Sequence, residues 1–163
     1  MTIEQFESLD ICITSLILPN WSCNDVNYTI FDLSRFTLLE SIEIGNDSFG
    51  SIETFMINDL HKLRSLKIGS NSFTQVNLYT FDCDPSNAKE KSRNESKSFH
   101  ILNCESLESI EIGMYSFSDF GGGFELHNLK SLKSINIGSF ETISCCFVWS
   151  SFIIRSILYH YIY

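Results

Sequence analysis

A β-rich solenoid of about five stacked repeats is the fold class the sequence predicts, and three observations predict it. Segments of seven residues align without gaps, their glycines recur at regular intervals, and apolar residues keep the same offsets around them. The strong copies are Leu39-Glu-Ser-Ile42-Glu-Ile44-Gly45, Leu63-Arg-Ser-Leu66-Lys-Ile68-Gly69, Leu107-Glu-Ser-Ile110-Glu-Ile112-Gly113 and Leu132-Lys-Ser-Ile135-Asn-Ile137-Gly138, with a weaker one at Ile13-Thr-Ser-Leu16-Ile-Leu18-Pro19. The glycines lie 24, 44 and 25 residues apart, so one interval carries an insertion.

The match extends upstream. Eight residues before the anchor leucines stand Phe31, Phe55, Phe99 and Phe124, and six before them Leu33, Ile57, Ile101 and Leu126. Ten residues after three anchors come Phe49, Phe73 and Phe117, each preceded by a serine, Ser48, Ser72 or Ser116. Within each strong copy the apolar residues alternate, as in Ile42-x-Ile44, which is the period of a strand with one buried face. Alternation points Ile42 and Ile44 inward and Ser41, Glu43 and Gly45 outward. The Phe-x-Ile and Phe-x-Leu pairs alternate too, which predicts a second row of short strands. A unit of this length cannot bury both rows alone, so neighbours must stack to close a shared core.

Leu63-x-x-Leu66-x-Ile68-x-x-Asn71-x-Phe73 resembles the LxxLxLxxNxL segment of the leucine-rich-repeat family, and residues 13 to 140 carry the resemblance. It implies a β-rich leucine-rich-repeat solenoid with a parallel concave sheet, short strands or turns on the convex side and little helix. It also implies an asparagine ladder along the stack, although the other copies replace Asn71 by Asp47, Tyr115 or Trp21. The expected organisation is an N-terminal cap over 1–12, the solenoid over 13–140 with a polar insertion at 74–98, and an incomplete apolar half-repeat over 141–163. The stretch from Asp84 to Lys97 is charged and almost free of apolar residues, as in a surface loop.

Composition narrows the function. Eleven Lys and Arg against 20 Asp and Glu give a formal net charge of -9, which disfavours nucleic acid, a partner that recruits clustered cations. Glu4 and Glu7 stand where a secretory signal carries basic residues, and the apolar run from Phe147 to Tyr163 is interrupted by Arg155 and His160. Neither a signal peptide nor a membrane span is read, and a cytoplasmic location is expected. The six cysteines show no CxxC pair and no metal-ligand spacing with histidine, so they read as small hydrophobes and free thiols. The sequons at Asn20, Asn27, Asn46 and Asn94 carry little weight in a chain this rich in Asn, Ser and Thr.

No catalytic or cofactor motif emerges. Gly121-Gly122-Gly123 lacks the Lys-Ser or Lys-Thr of a phosphate loop. Asp82-Cys83-Asp84 brings two carboxylates without further ligands, and no histidine shares a column with the serines. The expectation is therefore a non-enzymatic protein without cofactors that binds a protein partner through the concave face. The candidate residues form three outward columns: Ser41, Ser65, Ser109 and Ser134; Glu40, Arg64, Glu108 and Lys133; and Glu43, Lys67, Glu111 and Asn136. Along the stack the charges alternate in sign, which predicts ion pairs from Glu43 to Lys67 and from Lys67 to Glu111. Two alternatives stay open: a substrate-recruiting or regulatory fragment of a larger enzyme, and an extracellular adhesion domain. The C-terminal residues Phe147, Val148, Trp149, Phe152, Ile153, Tyr159, Tyr161 and Ile162 are expected to expose apolar surface and favour self-association, so a chain ending near Glu141 should be more soluble.

Overall fold

The structure, a computed structural model, describes residues 1–75, 93–139 and 144–155. Within them the chain winds as a β-solenoid of about five turns with parallel strands and almost no helix. The one helix among the described residues, α1 (Ile3–Glu7), starts at a capping box in which the Thr2 hydroxyl accepts from Gln5 N–H and the Gln5 side chain accepts from Thr2 N–H. The first sheet holds β1 (Ser15–Leu18), β3 (Ser41–Ile44), β5 (Ser65–Ile68), β7 (Ser109–Ile112) and β9 (Ser134–Ile137), in that order. The second holds β2 (Ile30–Asp32), β4 (Thr54–Asn58), β6 (Ser98–Leu102), β8 (Gly123–His127) and β10 (Ser151–Arg155). Consecutive strands of each sheet are thus one coil apart in sequence, and equivalent residues stand in register.

Between the sheets the repeated phenylalanines form two columns. Phe31, Phe55, Phe99 and Phe124 stack nearly parallel at 5.1, 4.6 and 4.8 Å. Phe49, Phe73, Phe117 and Phe147 do the same at 5.1, 4.8 and 4.8 Å. The columns meet edge to face: Phe55 lies 5.1 Å from Phe73 at 90°, and Phe99 5.0 Å from Phe117 at 83°. The second column has positive φ, 58° at Phe49, Phe73 and Phe117 and 51° at Phe147. A bulky residue pays about 1–2 kcal/mol there, and burying the ring offsets that cost. Phe147, expected from sequence to expose apolar surface, is therefore a core residue, because its ring covers Phe99, Phe117 and Phe124. At the other end Phe6 of α1 covers Phe31, Phe36 and Phe49.

The buried ladder is made of serine. Ser22, Ser48, Ser72 and Ser116 are fully buried, and the N–H of each of the first three donates to the hydroxyl of the next, at 3.0, 3.2 and 3.1 Å. The Ser72 and Ser116 hydroxyls donate in turn to the carbonyls of Gly45 and Gly69 in the preceding coil. Asn71, from which an asparagine ladder was expected, instead takes a left-handed turn with φ 56°, as Trp21, Asp47 and Tyr115 do, and its amide donates to Asp47 at 3.2 Å. Asn20 and Asn46 each accept the N–H of the equivalent residue in the next coil, Asn46 and Ser70, at 2.8 Å. Gly45 does not point to solvent as the alternation suggests. A Cβ there would lie 2.5 Å from Asn20 N, so the absence of a side chain lets successive coils close up.

Both ends of the insertion are held by Asp119. The Lys97 ammonium lies 2.9 Å from Asp119 Oδ2 with both side chains nearly buried, Gln75 N–H donates to the same oxygen at 3.4 Å, and Asn94 N–H to the Asp119 carbonyl at 3.0 Å. Lys97, which composition assigns to the surface loop, therefore belongs to the frame. Among the described cysteines Cys12, Cys23, Cys104 and Cys146 are free, whereas Cys145 is disulfide-bonded. That corrects the expectation of free thiols throughout. No helix among the described residues is long and apolar enough to cross a membrane.

Candidate interaction surface

Alternation buries one side chain in two along β1, β3, β5 and β7 and half-buries the equivalent Ile135 and Ile137 of β9, leaving a column of serines on the outer face. Ser15, Ser41, Ser65, Ser109 and Ser134 are paired in register across the five strands. The Ser41 hydroxyl donates to Ser15 Oγ at 2.9 Å. Two residues further along the strands runs the column Ile17, Glu43, Lys67, Glu111 and Asn136, also in register. Before the strands, Glu40, Arg64, Glu108 and Lys133 form the third column, tied by main-chain bonds from Arg64 N to Glu40 O, Glu108 N to Arg64 O and Lys133 N to Glu108 O. The face thus gathers the candidate residues in the three columns that the repeat implies.

The charges do not all pair. Lys67 Nζ lies 3.2 Å from Glu43 Oε1, with both side chains about half exposed. The expected pair from Lys67 to Glu111 is not formed, because the single ammonium turns toward Glu43. Glu108 is bracketed by Lys133 Nζ at one oxygen and Arg64 Nη1, 3.5 Å away, at the other. The hydrogen bond and charge of Lys133, aided by Arg64, hold the Glu108 carboxyl below its usual range. Glu40 and Glu111 make no ion pair among the described residues. Each exposed pair contributes about 0.2–1 kcal/mol, so the columns add little to stability.

A shallow groove of about 180 Å³ runs across β1, β3, β5 and β7, floored by the serines and walled by Ile17, Glu43, Lys67 and Glu111. Ile17, which the same alternation places in this outward column although it is not one of the candidate binding residues, is 68% exposed.

Among the described residues that line the groove, the serine hydroxyls stand beside Glu43, Lys67 and Glu111 and beside no histidine. No group of three His, Cys, Asp or Glu among the described residues is arranged to hold a metal ion. Gly121 and Gly122 donate to Asn94 O and Lys97 O, closing the frame around the insertion. Asp82-Cys83-Asp84 lies outside the described residues, as does most of the insertion. Compared with known proteins, the chain matches no family model, no curated protein and no solved structure.

Proposed function

We propose that this chain is a leucine-rich-repeat protein without catalytic activity of its own, and that it binds another protein through the outer face of the first sheet. One observation carries the reading. Across five strands the inward apolar positions repeat, while the exposed positions beside the serines change from coil to coil among Thr14, Glu40, Arg64, Glu108 and Lys133 and among Ile17, Glu43, Lys67, Glu111 and Asn136. A scaffold that fixes its core and varies one extended face is built for recognition. The face also keeps two carboxylates, Glu40 and Glu111, that form no ion pair among the described residues.

The experiment is affinity capture from a lysate with the full chain as bait, followed by capture with Glu43→Lys, Lys67→Glu and Glu111→Lys combined. These side chains are exposed, so the variant should fold and lose the partner. Retention of every captured protein by the variant would remove binding from this face.

A further inference from the structure

The placement of unneutralised charge says what kind of segment the face takes, an inference that rests on the assignment of binding to that face. Glu43 and Lys67 cancel, and Glu108 is shared by Arg64 and Lys133. That leaves Glu40 and Glu111 as carboxylates without a partner among the described residues. Glu40 precedes β3 and Glu111 lies in β7, two strands on, which is about 9.6 Å along the stack at about 4.8 Å per strand. The two stand on opposite sides of the serine column. On the side of Glu111, one strand before Glu40, Ile17 presents an exposed apolar surface.

An extended polypeptide advances about 3.3 Å per residue and projects successive side chains to opposite sides. Residues three apart are then about 10 Å apart and point to opposite sides, which matches Glu40 and Glu111. A residue next to the one facing Glu40, and four from the one facing Glu111, falls on Ile17, about 14 Å from Glu111 against about 13 Å along the chain. The serine hydroxyls beneath can donate to and accept from the main chain of such a segment.

We propose that the outer face of the first sheet, along the groove and the adjoining Glu40, binds an extended polypeptide segment carrying two Lys or Arg three residues apart, with an apolar residue beside the one that meets Glu40. The partner is a basic, unstructured stretch of another protein, which the net charge of -9 also attracts at long range.

The test is fluorescence anisotropy of short labelled peptides titrated with the full chain at low salt. One peptide carries Leu-Lys-x-x-Lys in a Gly/Ser background, a second has the same composition with Lys-x-Lys, and a third has Leu-Glu-x-x-Glu. The first should bind up to about fivefold more tightly than the second, since only the spacing of three meets both carboxylates, and the third should not bind. Glu40→Gln with Glu111→Gln should erase that preference, while Glu7→Gln with Glu53→Gln, also exposed but away from this face, should leave it. Equal affinity for both lysine spacings, or equal loss in both double variants, would overturn the proposal by reducing it to net charge. Loss of a captured partner in the Glu43, Lys67 and Glu111 variant, without spacing preference in the peptides, would leave the binding face standing and sink this inference alone.

Discussion

The Phe55 ring lies parallel to the Phe99 ring, within 4° and with centroids 4.6 Å apart, although 44 residues separate them. The stack is continuous across the insertion, so each ring is sandwiched on both faces. Phe55→Ala or Phe99→Ala should lower stability by about 3–5 kcal/mol through the cavity left behind. Thermal unfolding followed by circular dichroism measures it, and an unchanged midpoint would show that the column is not core.

Serines on the two sides of the first coil segment should respond differently. Ser72→Ala orphans the buried Ser48 N–H and the Gly45 carbonyl, which should cost about 1–3 kcal/mol for each group left without a partner. Ser65→Ala, on the outer face, should fall within about 0.5 kcal/mol of the parent. Urea titrations of the two variants side by side would refute the buried ladder if their midpoints shifted equally.

At the frame of the insertion, Lys97→Met strands the Asp119 carboxylate in the interior and should destabilise by about 3–5 kcal/mol, with Asp119→Asn added to it restoring most of the loss. Limited trypsin digestion should spare the bond after Lys97 in the parent chain, whose ammonium is buried, and cut after the exposed Arg93 before it. Cleavage at Lys97 as fast as at Arg93 would contradict the buried pair. Lys89 and Lys91, two further lysines of the insertion, lie outside the described residues.

Thiol reactivity should follow burial. Desolvation pushes Cys23 and Cys104 up to about 11, so at pH 8 only about a thousandth of either is thiolate, whereas Cys12 is exposed. Brief alkylation of the native chain followed by mass spectrometry should label Cys12 and spare Cys23 and Cys104. Equal labelling of the three would mean that the two buried coils open.

β10 pairs with β8 so that Phe152 and Ile154 stand in register with the buried Phe124 and Leu126, yet both remain exposed. If this edge drives self-association, Phe152→Ser with Ile154→Ser should shift light scattering toward monomer. A chain cut near Glu141 is a poorer remedy than the sequence suggests, because it also strips Phe147 from Phe117 and Phe124. A monodisperse full-length chain at high concentration would remove the premise.

Period-2 alternation and constant offsets made the parallel sheets, the register and the Phe31 to Phe124 column legible in sequence, since each follows from which residues must be buried. The three outward columns were legible for the same reason. Partnering was not: Lys67 has a carboxylate on either side, and only side-chain geometry decides for Glu43. The role of Ser48, Ser72 and Ser116 escaped because serine beside a phenylalanine reads as surface, and its burial depends on the left-handed turn that follows. Lys97 read as loop because a lysine reads as solvated until the position of Asp119 is known.

Closing the chain from Phe55 to Phe99 spans 44 residues, against 24 from Phe31 to Phe55. Loop-closure entropy grows only with the logarithm of length, so the longer span costs about 0.5 kcal/mol more. The ring stack sees the same neighbours either way. Chain length between these two coils is therefore nearly decoupled from the stability of the spine, and that junction can take up or shed sequence as the rest of the molecule diverges.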